Sequence, residues 1–384
     1  MNQDVCRIQL FAGYQIEKES MSRNKNQTCA FEFYKNESVD RLMNEKLLSN
    51  DLFSSIIDSE EFQRLQQVSF LGAIDYVNPV NKATRYQHSI DVAKLALYVS
   101  EKRGYSSDIT NHVVSAALLH DIGHAPLSHS MEQSFFDEYG INHHIASSNL
   151  ISNGTNINSV TNILKKHVDI NLVINLIEQE SDEHFADIFN SKINVDTIDG
   201  IHKSLAFINL KNPYDKYALA RSAFTRDFQD NTSRLDHFWN LKDLVYKKVI
   251  TSGIGAIADH ISKEYFVDNV SRLNESYFLK KESSLLGGRS PIFKDFSRKI
   301  KGVKCLGESI ETESEKLNVT VTEREYRINI GVHLEDFDNF DDFISSRYQV
   351  DKCKVKKELH YVFINSDELN TPIHIGKSQY ELFG

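Results

Sequence analysis

Residues 118–132 read LLHDIGHAPLSHSME, an apolar run that delivers His120 and Asp121 and then breaks at Gly123 and Pro126. Upstream, Ile109, Val113, Ala116, Ala117 and Leu119 keep helical spacing. The stretch therefore predicts a helix whose end presents a histidine and a carboxylate beside a turn. Histidine is crowded around it: of 15 in the chain, seven lie between positions 88 and 144, namely His88, His112, His120, His124, His129, His143 and His144. Neutral imidazole is a common ligand for borderline metals and titrates near neutrality, so such crowding points to a metal centre, to proton transfer, or to both.

Outward from that stretch, TRYQHS at 84–89 places His88 at the opening of a helix whose Ile90, Ala93 and Leu97 face a core. NVDTIDG at 194–200 places Asp196 just before the apolar helix IHKSLAFI. Two imidazoles and two carboxylates suit Mn, Fe, Ni, Mg or Zn, and donor type alone does not choose among them. His129 and Glu132 stand three apart, so a helix after Pro126 would put them on one face as an oriented proton-transfer dyad.

From 39 to about 269 the apolar spacing stays helical, as in Leu235, Phe238, Leu241, Leu244 and Val245. After about 280, SSLLGGRS breaks the pattern and runs of period two follow: Leu317, Val319 and Val321, then Tyr326, Ile328, Ile330, Val332 and Leu334. The expected fold is mainly α. A helical core spans 50–280, an arm or hairpin (5–16 and 29–34) plus a helix occupies 1–49, and a smaller α+β region spans 281–384.

The chain has 384 residues, 40% hydrophobic and 26% charged, which is ample for a sizeable core and excludes a disordered or fibrous protein. Its 44 Lys+Arg against 54 Asp+Glu give a net charge of -10, which argues against a surface built to hold nucleic acid. The basic run PIFKDFSRKIKGVK and the acidic run EDFDNFDD read first as solvated faces. No apolar run approaches the roughly 20 residues that span a bilayer, and Asp4, Arg7, Glu17 and Lys18 spoil a signal peptide, so a soluble, cytoplasmic protein is expected. Cys6, Cys29, Cys305 and Cys353 stand far apart and read as free thiols. GIGAIA at 253–258 follows no strand and reads as a helix break rather than a dinucleotide loop.

Taken in order, these motifs resemble the HD superfamily of metal-dependent phosphohydrolases, in particular its deoxynucleoside triphosphate triphosphohydrolase (dGTPase-like) branch. EFQRLQQVSFLGAIDYVNP at 61–79 is similar to that branch's segment ending in a Phe-Pro-Gly turn, and TRYQHS to its Arg-Phe-x-His-Ser. HDIGHAPLSHSME is similar to its HD-x-G-H-x-P-F-S-H stretch, NHHIAS to its His-Glu-x-x-Ser, and NSKINVDTIDG to its final Asp-x-x-Asp-Tyr. The resemblance covers about residues 50–280. It implies one divalent metal ion per chain held by His88, His120, Asp121 and Asp196, with Arg85, Leu71 and Asp199 at the substrate. It further implies His129 with Glu132 in proton transfer and His124 and His143 on phosphate or on the attacking water. The reaction implied is hydrolysis of a dNTP to deoxynucleoside and inorganic triphosphate by a homo-oligomer, with an activating nucleotide in some relatives.

Two other readings stand beside it: an HD phosphohydrolase acting on a ribonucleotide, cyclic dinucleotide or nucleic-acid end, with a second metal at His124, His129 and His143, and a catalytically silent nucleotide sensor. The chain also departs from the branch. His144 stands where the branch has Glu, and Phe70, Gly200 and Ser204 replace the Gln, Tyr and Asp that hold the deoxyribose. Gln66 and Asn78-Pro79-Val80 alter a segment that touches neighbouring subunits in some relatives. His112, His167 and His184 have no motif partner and read as structural.

Overall fold

A computed structural model describes residues 37–78, 82–154, 156–210, 213–225, 231–306 and 314–364. The hairpin expected within 5–34, Cys6, Cys29, Pro79 and Val80 lie outside the described residues. Two compact units divide the chain, Met1–Lys46 and Leu47–Gly384. Residues 37–46 of the first are helical. The helical body, the sheet and the histidine cluster all belong to the second.

A 19-residue helix, α1 (Arg85–Arg103), is the centre of this unit. Thr84 starts it through a capping box with Gln87, each side chain bonding the other residue's backbone N–H. His88, Val92, Ala93, Leu95, Ala96 and Val99 are all solvent-free, so α1 is enclosed rather than amphipathic. After a short turn α2 (Ser107–Leu119) runs back along it. Val113, Val114, Ala116, Ala117, Leu118 and Leu119 are fully buried there. His112 is a satisfied structural residue: its Nδ1 bonds the Asp108 carbonyl at 2.9 Å and its Nε2 accepts from Asp169 N at 2.9 Å.

Next come α3 (His129–Tyr139) and α4 (His143–Ser152), then α5 (Val195–Phe207) and α6 (Lys216–Phe224), both packed on α1. The body closes with α7 (Asn231–Val245) and α8 (Gly253–Asp268), the latter against α3. GIGAIA opens α8 behind the Ser252 cap, with the break at 251–252.

The C-terminal part adds three strands, β1 (Val303–Leu306), β2 (Glu315–Ile328) and β3 (Tyr348–Phe363), in an antiparallel sheet of order β1-β3-β2. The fold is thus mainly α with a small α+β part. One expectation is corrected. The two period-two runs are a single strand, paired without a break from Glu315↔Tyr361 to Ile328↔Tyr348, and it ends at Ile328. Ile330 is 77% exposed in a turn. Arg347 holds that turn by donating to the carbonyls of Asn329 and Val332, which a continuing strand would have spent on a neighbour. Among the described residues no helix is long and apolar enough to cross a membrane.

Candidate active site

Three helix ends meet at one point. The first turn of α1 supplies His88, the end of α2 supplies His120 and then Asp121, and the first turn of α5 supplies Asp196. Asp196 lies inside α5 rather than ahead of it, because Asn194 makes a capping box with Thr197 and starts the helix earlier than its apolar stripe suggests. His88 Nε2 is 3.3 Å from His120 Nε2, 3.0 Å from Asp196 Oδ1 and 3.7 Å from Asp121 Oδ2. His120 Nε2 is 3.5 Å from Asp121 Oδ2 and 3.8 Å from Asp196 Oδ1.

The far side of each imidazole fixes its tautomer. His120 Nδ1 lies 2.8 Å from the Ala117 carbonyl, and His88 Nδ1 lies 2.8 Å from Asp199 Oδ2. Both partners only accept, so both Nδ1 atoms carry the proton and both Nε2 lone pairs face the centre. Asp199 does not reach the substrate cleft as expected. It is fully buried beneath His88 and accepts from Lys203 and Lys216 at 2.6 and 2.7 Å. Burial opposes its charge, but the two lysines and His88 hold its carboxyl well below the usual range.

Two imidazole lone pairs and two carboxylate oxygens thus converge with no donor among them. Atoms about 2.1 Å from one ion and a right to tetrahedral angle apart would be separated by about 3.0–3.4 Å; His88, His120 and Asp121 lie close enough together to share a divalent cation, and Asp196 flanks them through its approach to the two imidazoles. The protein's own charges say the same. Burial alone would lower the His88 pKa, yet its bonds to Asp196 and Asp199 and the charge of Asp121 raise it to about 9, so without an ion a proton sits on Nε2 in the cation's place and is given up when the ion binds.

Asp121 joins this cluster to a second one. Its Oδ2 accepts from Arg85 Nη1 at 2.8 Å, and its Oδ1 lies 3.0 Å from His124 Nε2. Burial opposes the charge, but Arg85, His120 and His124 keep its carboxyl well below the usual range. His124 is buried, stacked on His143 at 4.4 Å, and its pKa falls well below the usual value through burial and the Arg85 charge. Its buried Nδ1 has no partner among the described residues.

On α3, Glu132 takes His129 Nδ1 at 2.9 Å with one oxygen and both His143 Nδ1 and, at 3.1 Å, His143 N with the other. Those bonds outweigh burial and drive the Glu132 carboxyl far below its ordinary range. Gly123 makes the juxtaposition possible: a Cβ there would stand 2.3 Å from the His143 carbonyl and 2.5 Å from Ser147 N, so only glycine lets α4 come this close. His144 also lines the cleft, with its ring 4.0 Å from that of His143 and its Nδ1 3.0 Å from Glu178. His124, His129, Glu132 and His143 form a second group whose spacing could also hold an ion.

Both clusters open on one cleft of about 430 Å³, whose lining includes Arg85, Leu71, Phe70, Gly200 and Ser204. Phe70 packs its ring on His88 at 4.6 Å and under the Arg85 guanidinium at 5.1 Å. Ser204 spends its hydroxyl on the Gly200 carbonyl at 2.8 Å.

One cleft residue escaped the sequence reading. Lys242 is buried, donates to the Lys192 carbonyl at 3.0 Å, and has its pKa lowered to about 8 by that burial. Its signal was present, since it sits at i+7 from Leu235 and i+4 from Phe238, a lysine in the apolar stripe of α7.

Residues 85–203 match the HD domain family. A 77-residue stretch is 43% identical to the uncharacterized protein MJ1154 of Methanocaldococcus jannaschii, covering 20% of this chain and 16% of that protein. Over 97 residues the chain is 34% identical to the deoxynucleoside triphosphate triphosphohydrolase SAMHD1 homolog of Dictyostelium discoideum, covering 23% and 19%. Over 255 residues it is 26% identical to an HD domain-containing protein of Acanthamoeba polyphaga mimivirus, covering 58% and 56%. The matches span at most 56% of the length of these relatives. The chain thus matches the HD domain family over residues 85–203, and the relatives it resembles there include deoxynucleoside triphosphate triphosphohydrolases.

Proposed function

We propose that this HD-domain chain hydrolyses deoxynucleoside triphosphates to the deoxynucleoside and inorganic triphosphate, by in-line attack of water at the α-phosphorus. The observation that carries the reading is the sharing of Asp121, whose two oxygens join a cation-seeking cluster and a proton-bearing one on the same cleft. His88, His120, Asp121 and Asp196 would hold one divalent ion. The chemistry such an ion supplies when bound is neutralisation of charge on the non-bridging oxygens and a lower pKa for the attacking water.

Arg85 has Nη1 and Nε fixed by Asp121 and Ser128, while its Nη2 has no partner among the described residues and is left for a phosphate oxygen. Lys242, across the cleft, meets the triphosphate tail. Glu132 fixes His129 Nδ1, which directs His129 Nε2 outward to protonate the departing 5′ oxygen. His143, anchored through both its ring and its backbone to the same carboxylate, keeps that carboxylate aimed. A role in nucleotide-pool control or in depriving phage of dNTPs, a homo-oligomeric state and Mn as the ion belong to the same proposal.

The test is product analysis by chromatography and mass spectrometry of each dNTP and NTP incubated with the protein and Mn. Deoxynucleoside with intact triphosphate is the expected result; release of pyrophosphate or single phosphate, or none from any nucleotide, overturns the reading. A second reading, a two-metal phosphodiesterase, draws on the second group around His124. Bound metal of about two ions per chain favours it, and about one favours the first.

A further inference from the structure

Between His124 and His129 the backbone takes an unfavourable path. Leu127 and Ser128 have φ of 60° and 45°, and Ser128 combines this with ψ of -132°, a conformation that suits glycine. Two consecutive side-chain-bearing residues do not hold such a turn unless their surroundings fix it. Here, apart from Arg85, the side chains and backbone that fix it come from outside the HD-matched segment. Glu282, 5% exposed, accepts from Leu127 N at 3.1 Å and from Ser69 N at 2.6 Å with one oxygen. With the other it accepts from Tyr76 Oη at 2.5 Å and Lys82 Nζ at 3.3 Å.

The strand-like residue Ser69 then closes the ring, since Ser128 Oγ donates to its carbonyl at 2.5 Å while accepting from Arg85 Nε at 3.0 Å. On the next turn Ala73 N donates to Ser130 Oγ at 3.0 Å, and Gly72 leaves room for the Leu127 carbonyl, 2.6 Å from where a Cβ would stand.

We infer that Glu282 is a positioning residue for proton transfer: it clamps the 125–128 turn to the 69–76 segment and thereby sets where α3 begins and where His129 points. The inference rests on the proposed role of His129. Reach matters more than charge in such a clamp, because one carboxylate oxygen must meet two backbone N–H groups from segments far apart in sequence. Glutamine keeps that oxygen at the same distance and gives up only the half-exposed Lys82 contact, its NH2 donating to Tyr76 Oη instead of accepting from it; aspartate, one methylene shorter, does not reach.

The experiment compares Glu282→Gln, Glu282→Asp and Glu282→Ala by kinetics on the best nucleotide, by Mn binding, and by histidine side-chain NMR, which reads His129 whether or not any nucleotide is turned over. Expected is a kcat reduced by about 10²-fold in Glu282→Asp and Glu282→Ala, with His129 resonances displaced and with KM and Mn affinity within about threefold of the parent. Glu282→Gln is expected to keep both the rate and the resonances.

Parental kcat and unmoved His129 signals in Glu282→Asp overturn the assignment. So does a rate loss that tracks Mn affinity, or unfolding of both shortened variants, which would make Glu282 a residue of the fold alone. Should the parent protein hydrolyse no nucleotide, the proposed function falls while the NMR comparison still decides the clamp.

Discussion

The two histidine groups on either side of Asp121 are built from the same residue types and are held in different ways. In the His88 group each imidazole is locked from behind by a partner that can only accept, and the atoms facing inward are all acceptors. In the His129 group the bonds run between its own members, through Glu132, and His129 is exposed with 64% of its side chain open. The first arrangement fixes lone pairs and calls for a cation. The second fixes protons and leaves one imidazole nitrogen facing water, as proton transfer requires. Identical side chains are thus assigned by what stands behind them.

The largest test of that contrast is the double variant His120→Ala with Asp121→Ala. Loss of one imidazole and of the shared carboxylate should abolish Mn binding and lower turnover by more than about 10³-fold, measured by calorimetry and product formation. His129→Ala should cost about 10²–10⁴-fold in kcat while Mn still binds as in the parent. Equal loss of metal there would erase the distinction between the groups.

Asp199→Asn sharpens the first half of the comparison. With the His88 tautomer no longer fixed, Mn affinity should fall about 10–100-fold, and with Lys203 and Lys216 left to Asp91 alone, stability to denaturant should fall by about 1.5–3 kcal/mol.

The smallest effect concerns Lys242. Its ammonium, lowered to about 8 by burial, is charged below that pH and neutral above it. The parent's KM for a triphosphate should therefore rise above pH 8 with kcat little changed. Lys242→Met should show a KM about tenfold above the parent's low-pH value and flat with pH, so that the two converge above pH 8, and Lys242→Arg should remove the alkaline rise.

Much of this site was legible along the chain. His120 and Asp121 at a helix end, and His88 and Asp196 near helix starts, are local facts that periodicity and capping residues reveal, and their convergence needed only that those three ends meet. Asp199 was misplaced because its motif position says nothing of depth: three residues from Asp196, it shares that residue's face of α5, but the rise of about 4.5 Å along the axis takes it past the cleft to the buried side of the His88 ring, beside Lys203 and Lys216. Glu282 was illegible, since its partners are more than 150 residues away and a lone glutamate after a basic pair reads as surface. The sheet shows the same limit. Alternation located β2 but continued past Ile328, where Arg347, a tertiary partner, takes the carbonyls.

The bare backbone of Gly200 has a practical side for chemical biology. A methyl group added there would touch Phe70 at 3.6 Å and Asp196 and His88 at 3.9 Å, ordinary contacts that displace nothing. The wall beside the metal-seeking atoms therefore has a notch one carbon deep. An inhibitor bearing a small apolar branch at the matching position would seat in it, and Gly200→Ala would close the notch and make a resistant allele for proving the compound's target in living cells.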